Sequence, residues 1–299
     1  MTWTKENIPD LSGKTALVTG PNSGIGYEIA LALYQKGASV TVAGRDPLRV
    51  NDAIKEMSHA GGTGTLSAGI LDLASLQQIR EFAEQFKKEH DQLHLLINNA
   101  GVMTPPESRT EDGFELQFGV NFLGHFALTG YLYPLLKASP VARVMNHSSG
   151  AHSWAAGVDF DNLHAEHSYD ASREYGISKL ANLQFTAELQ RRAQRAGDDI
   201  LASGANPGVT ESRLARYMSP EEFQAGIDKY GQLKPAWQGA IPALYAATAA
   251  DVKGMDYYEP GKGINEYSVK AEMSAAANDA VQAAKLWAYA EQVTGISYP

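Results

Sequence analysis

The chain has 299 residues, 44% of them hydrophobic, no cysteine, and a formal net charge of −9 with a sequence pI near 5.4. That composition can fill a sizeable core, and without cysteine there is no disulfide, thiolate metal site or thiol nucleophile. An acidic surface repels phosphate backbones and anionic lipid heads, which argues against nucleic-acid or membrane-surface binding.

Met1 to Leu11 is polar, carries Lys5, Glu6 and Asp10, and has no apolar stretch of the kind a secretory signal needs. No run approaches the ~20 apolar residues of a membrane span. The expectation is a soluble, cytoplasmic protein. No repeat, low-complexity tract or Pro/Ser-rich linker divides it, so residues 1–299 are expected to form one domain.

Short apolar strands then alternate with amphipathic helical segments, which predicts an α/β fold with a doubly wound, mostly parallel, seven-stranded sheet covered on both faces. The first strand, Thr15 to Thr19, runs into Gly20-Pro21-Asn22-Ser23-Gly24-Ile25-Gly26 and a helix over 24–36. A glycine-rich turn between strand and helix lets a pyrophosphate approach the backbone, facing the positive end of the helix. An ordinary tight turn would look the same in isolation; the position after the first strand favours the binding reading.

The second strand, Ser39 to Ala43, leads to Gly44-Arg45-Asp46-Pro47 and a helix over 47–59. About twenty residues beyond the glycines is where a dinucleotide's adenosine ribose lies; an acid there suits NAD and an arginine suits NADP. Asp46 before Pro47 reads as a helix N-cap, which leaves Arg45 for a 2′-phosphate and favours NADP(H) over NAD(H). After the third strand, Leu66 to Ile70, come Leu71-Asp72-Leu73. Asp72 could meet the adenine amino group or cap the helix over 74–89. The fourth strand, Leu93 to Ile97, is followed by Asn98-Asn99-Ala100-Gly101, small enough for close approach of a ligand.

A helix is predicted over 111–137, a fifth strand over Val141 to Asn146, a helix over 173–196 and a sixth strand over Ile200 to Ala205. Arg191, Arg192 and Arg195 before Gly197 match a helix C-terminus, with cations opposing the dipole and a left-handed glycine. A seventh strand is expected near 264–269 and a last helix over 274–294. Tyr175 and Lys179, spaced i, i+4, share one helix face. A free phenol titrates near ~10; a neighbouring ammonium and an oxidised nicotinamide would lower that value and make the pair a general acid/base.

In order, TGPNSGIG (19–26), AGRD (43–46), LD (71–72), NNAG (98–101), Asn121 in GVNFLGHFALT, Ser149 in NHSSG, YGISK (175–179) and NPGVT (206–210) resemble the short-chain dehydrogenase/reductase superfamily over almost the whole chain. SSGAHSW, SKLANLQFTAEL, the tail AAKLWAYAEQVTG and the long gap between Ser149 and Tyr175 are similar to its retinol-dehydrogenase-like branch. Vertebrate members often carry a membrane anchor; this chain looks more like soluble bacterial relatives.

The resemblance implies a Rossmann fold and a hydride transfer between a nicotinamide and a carbonyl or alcohol, biased toward reduction. It makes Tyr175 the proton donor or acceptor. Lys179 lowers the tyrosine pKa and holds the nicotinamide ribose. Ser149, rather than Ser148, bonds the substrate oxygen, and Asn121 holds a water linking Lys179 to solvent. Gly20, Asn22, Ser23, Gly24, Ile25 and Gly26 cradle the pyrophosphate; Arg45, Asp72, Leu73, Asn99, Ala100 and Gly101 line the cofactor, and Pro207, Gly208, Val209 and Thr210 border the nicotinamide.

No metal is required, and His147, His152, His164 and His167 read as pocket wall or surface. Two departures stand out: Ser23 replaces a base before Gly24, and Glu259 replaces a glycine before Pro260. The substrate wall is expected from Gly150 to Glu174, with Trp154, Phe160 and Tyr169, and from a lid over about 209–235, with Tyr217, Met218, Phe223 and Tyr230. An apolar aldehyde or ketone would suit it. The family commonly forms homo-oligomers, dimers or tetramers. A non-catalytic NAD(P) sensor is the main alternative, and an intact Ser149, Tyr175, Lys179 and Asn121 argues against it.

Overall fold

The computed structural model describes residues 3–230, 233–262 and 267–299. Its strands are β1 (Thr15–Thr19), β2 (Ser39–Gly44), β3 (Thr65–Ile70), β4 (Leu95–Asn98), β5 (Ala142–His147), β6 (Ile200–Ala205), β7 (Tyr257–Glu259) and β8 (Val269–Ala271). They form one sheet in the order β3-β2-β1-β4-β5-β6-β7-β8, parallel up to the β7–β8 pair, which is antiparallel. The sheet is therefore one strand larger than the predicted seven. The two strands at that edge, β7 and β8, are three residues long. Of the predicted strand near 264–269, residues 264–266 lie outside the described residues and Val269 begins β8.

The order reverses between β1 and β4. At such a switch point the loops beyond the strand C-termini splay apart and leave a crevice. The segments after β1, β2, β3, β4, β5 and β6, which carry nearly all the candidate residues, emerge at that edge.

Helices α1 (Gly24–Gln35), α2 (Pro47–Ala60) and α8 (Ala236–Thr248) cover one face, with Ile29, Leu33, Met57, Ile241 and Leu244 packed on Val18, Val40 and Val42. The other face carries α3 (Leu76–Glu89), α4 (Leu116–Phe118), α5 (Gly124–Lys137), α6 (Ala171–Ala196), α9 (Ala275–Asn278) and α10 (Ala280–Thr294). There Phe122, Phe126, Phe185 and Trp287 pack ring against ring at centroid separations of 5.0–6.1 Å. Helix α7 (Pro220–Tyr230) lies within the expected lid. Among the described residues no helix is long and apolar enough to cross a membrane.

Local chemistry accounts for most element ends. Asp46 accepts from Leu48 N at 3.0 Å and Arg49 N at 3.3 Å, with Pro47 at the first helical position. Gly197 ends α6 with φ +72°. Arg191, Arg192 and Arg195 do more than oppose a dipole: all three close on the buried Glu188 carboxylate at 2.9–3.2 Å. The predicted helix over 111–137 begins only at Leu116, because Gly113 at φ +88° makes a turn. It is also interrupted by a π-helical turn, Gly119–Leu123, that holds Asn121. The predicted last helix is broken at Asp279, which caps α10 through Val281 N and Gln282 N.

Candidate active site

The first turn after β1 is built for backbone approach. Gly20 (φ +68°) and Gly24 (φ +59°) sit in the left-handed region that favours glycine. A Cβ on Gly26 would stand 2.6 Å from the Gly20 carbonyl oxygen. Ser23 precedes α1 without a side-chain cap bond, so the helix N-terminus is left open to a ligand.

The loop after β4 is tied to that turn. Thr19 Oγ1 accepts from Asn99 N at 3.0 Å and Ala100 N at 2.9 Å, and Asn99 Nδ2 donates to Thr19 O at 2.8 Å. Gly20, Asn22, Ser23, Ile25, Gly26, Arg45, Asp72, Leu73, Asn99, Ala100 and Gly101 line one cleft, together with Tyr175 and Lys179. Its volume of about 760 Å³ suits a small-molecule site. Asp72 spends Oδ1 on Ala74 N at 2.9 Å, in a turn ahead of α3, whose cap is Ser75. The capping alternative for Asp72 thus gives way to a local turn, and Asp72 still faces the cleft.

Tyr175 and Lys179 face the cleft from α6, both about 4% exposed, with the Lys179 ammonium 5.6 Å from the Tyr175 ring centroid. Ser149 lies near the Tyr175 hydroxyl and favours its ionised form. Burial pushes that hydroxyl up to about 12, only partly offset by Ser149, while burial pulls Lys179 down to about 8. Ser148 lines the cleft and donates its hydroxyl to the Lys179 carbonyl at 2.8 Å, while the Ser149 hydroxyl accepts from Ala151 N at 3.2 Å.

Asn121 is fully buried, and its amide is spent within the protein. Nδ2 donates to Val102 O and Ser178 Oγ, each at 2.9 Å, and Oδ1 accepts from Val102 N at 2.8 Å. Ser178 in turn donates to Tyr175 O at 2.8 Å, so Asn121 links the loop after β4 to the backbone of the tyrosine. A Cβ on Gly101 would come within 3.1 Å of Asn121 Oδ1, which explains glycine there.

After β6, Pro207 lines the cleft, whereas Gly208 (φ +70°) packs against Pro260 and Thr210 packs against Gly239. The Glu259-Pro260 departure therefore lies directly against the NPGVT turn. Of the expected substrate wall, Trp154 is half-exposed with its ring 6.4 Å from that of Tyr175. Phe160 instead packs on Tyr289 and beneath Lys285, and Tyr169 donates to Pro105 O at 2.6 Å. From the lid, Leu214, Arg216 and Tyr217 line the cleft, and Ser212 packs against Gly24. The side chain of Tyr230 lies outside the described residues.

Sequence reasoning passed over Thr19, whose fixing role needs the loop partners to be known, and the lid residues Ser212, Leu214 and Arg216. His147, expected only as pocket wall, is buried in the cleft wall and bonds Asn99 through Nδ1. His152 bonds Ser149 O and Ser274 N, and His164 stacks on Phe114. No cluster of three metal-binding side chains occurs among the described residues.

A family model described as short chain dehydrogenase matches residues 14–222. Human retinol dehydrogenase 13 is 39% identical over 304 residues, spanning 99% of this chain and 88% of that protein. The crystal structure of a protein from Mycobacterium paratuberculosis superposes with a TM-score of 0.83 at 36% identity, covering the whole of both chains. Pseudomonas aeruginosa RhlG, solved as an active-site complex with NADP, gives a TM-score of 0.69 at 26% identity, over 86% of this chain and 98% of that one. The chain belongs to the short-chain dehydrogenase/reductase family of oxidoreductases, in its retinol-dehydrogenase-like branch.

Proposed function

We propose that the chain is an NADP(H)-preferring carbonyl reductase that acts on apolar aldehydes or ketones, with Tyr175 as its proton donor. The observation that carries this reading is the union of Tyr175 and Lys179 with the glycine turn and Arg45 around one cleft, with Ser149 beside the Tyr175 hydroxyl. The cleft fits a dinucleotide: Gly20, Gly24 and Gly26 leave room where side chains would intrude, and the open N-terminus of α1 offers N–H groups to a pyrophosphate. RhlG, with its bound NADP, is consistent with that choice of ligand.

When bound, the nicotinamide supplies the hydride. The chain's residues supply the rest. Lys179 and Tyr175 hold the nicotinamide ribose, while Ser149 and Tyr175 present hydroxyls to the substrate oxygen, where negative charge develops. With burial pushing it up to about 12, Tyr175 is protonated at neutral pH in the free site, the form a proton donor to the substrate oxygen requires. Asn121 holds the loop after β4 and, through Ser178, the backbone of Tyr175 in register. Arg45 meets the 2′-phosphate; Asp46, occupied as the α2 cap, leaves it that role. Trp154, beside Tyr175, and Tyr217 on the lid give the mouth an apolar, aromatic rim, suited to a hydrophobic carbonyl compound or its alcohol; the name of human retinol dehydrogenase 13 indicates a hydrophobic alcohol.

Titration of the wild type with NADPH and NADH, followed by nicotinamide fluorescence, tests the cofactor assignment. NADPH is expected to bind at least about tenfold more tightly, in line with a charge-assisted phosphate bond, and Arg45→Ala to erase the difference. Equal binding of both nucleotides by the wild type would refute the preference.

A further inference from the structure

His147 ends β5 with its ring turned toward Asn99. Its carbonyl oxygen accepts from Asn182 Nδ2 at 2.8 Å and from Lys179 Nζ at 3.3 Å. The state of the ring follows from its neighbours. Asn99 Nδ2 donates to Thr19 O at 2.8 Å, which fixes the amide, so it is Asn99 Oδ1 that meets His147 Nδ1 at 2.9 Å. An amide oxygen only accepts, so Nδ1 carries the proton and Nε2 the lone pair. Burial, with Lys179 and His125 nearby, pulls the imidazole down to about 3, so it stays neutral.

Nε2 is fully buried and has no hydrogen-bond partner in the protein. The contrast with His125 is instructive. His125 Nδ1 donates to Asn121 O at 2.9 Å, and Nε2 accepts from Thr19 Oγ1 at 2.8 Å, so every polar atom of that ring is matched. The network running from Asn121 through His125, Thr19 and Asn99 to His147 therefore has one open end. That end belongs to a residue in the cleft wall, alongside Tyr175 and Lys179. Burying an acceptor without a donor is costly, and an aliphatic side chain would avoid the cost.

We infer that His147 Nε2 is a ligand-binding atom that accepts a hydrogen bond from the nicotinamide-riboside half of the dinucleotide. The inference rests on the cofactor reading above and gives a role to a residue that reading does not use. The donors in that half are the ribose hydroxyls and the carboxamide N–H groups, and both meet the same requirement, a neutral donor for a neutral acceptor.

Calorimetry on His147→Leu and the smaller His147→Val, either of which suffices if folded, tests it with three ligands: NADPH, 2′-phospho-ADP-ribose, which lacks the nicotinamide, and adenosine 2′,5′-bisphosphate, which lacks the whole nicotinamide riboside. Loss of the acceptor is expected to weaken NADPH about tenfold, the scale of one hydrogen bond, and to leave the bisphosphate unchanged. A parallel loss for 2′-phospho-ADP-ribose assigns the donor to the ribose; an unchanged value assigns it to the carboxamide. Unchanged NADPH affinity, or an equal loss for the bisphosphate, would overturn the inference alone. Wild type that binds none of the three would overturn the cofactor reading and the inference with it.

Discussion

Burial disfavours the charged form of both Tyr175 and Lys179 and so moves them in opposite directions: it keeps the phenol protonated, at about 12, and makes the ammonium easier to discharge, at about 8. Carbonyl reduction needs both protons in place. Its rate is therefore expected to hold up to about pH 8 and to fall above it as Lys179 loses its charge, whereas alcohol oxidation rises with pH. Rate profiles in the two directions check this, and parallel profiles would contradict it. Tyr175→Phe is expected to lower the reduction rate by about 10²–10⁴, the usual worth of a positioned general acid, while NADPH still binds. Single-residue chemistry was also where the sequence was most readable. The i, i+4 spacing put Tyr175 and Lys179 on one face because α6 is a regular helix. Nothing in the sequence could show that His147 would lack a donor, since that depends on Asn99 and Thr19, 48 residues from His147 and 80 from Asn99 respectively.

Strands in the middle of the sheet were legible because they are buried on both faces and read as continuous apolar runs, as in Ala16-Leu17-Val18 and Leu95-Leu96-Ile97. The edge was not. Strands β7 and β8 have three residues each, too few for a period, and β8 pairs antiparallel against the trend of the sheet. Helix α8 escaped for the opposite reason: AWQGAIPALYAAT is apolar almost all round, contains Pro242, and lacks the polar stripe that marks an amphipathic helix. In α10 the polar residue matters most. Asp279 satisfies two N–H groups at the start of the helix that packs Trp287 against Phe126 and Phe185. Asp279→Ala is expected to cost about 1 kcal/mol of stability, read as a lower urea midpoint, with NADPH affinity unchanged. An unaltered midpoint would show that the cap contributes nothing.

Across the whole molecule, the two neutral histidines at the centre couple the fold to pH. Burial holds His125 at about 4 and His147 at about 3, both below the ordinary value of 6.5. Between those limits the unfolded chain binds more protons than the native one, so the pair makes stability fall as pH drops from about 6.5 toward 4. Glu115 works against this. Burial raises it from 4.5 to about 7, so the native state holds that proton more tightly and gains stability from it as pH falls through the same window. His125→Asn is expected to be less stable at neutral pH yet to show an acid slope shallower by about one proton, measured by urea unfolding at several pH values. An unchanged slope would mean that His125 does not titrate on unfolding. The same scale explains why the site was findable at all. Its parts are scattered from Gly20 to Thr210, and the parallel order with its reversal between β1 and β4 delivers them to one edge. The ordered motifs implied that arrangement; the Gly119–Leu123 π-turn and the packing of Ser212 on Gly24 became visible only once the chain was folded.

The most direct test of the account uses NADPH deuterated at the transferring position, with all-trans-retinaldehyde and a straight-chain aldehyde as acceptors and mass spectrometry of the alcohol formed. Wild type is expected to place one deuterium in each product molecule, and Tyr175→Phe to form about 10²–10⁴-fold less alcohol in the same time although it still binds NADPH. Wild type that binds NADPH yet delivers no deuterium to any carbonyl in a broad panel would contradict the account, and would leave a dinucleotide-binding protein without the chemistry.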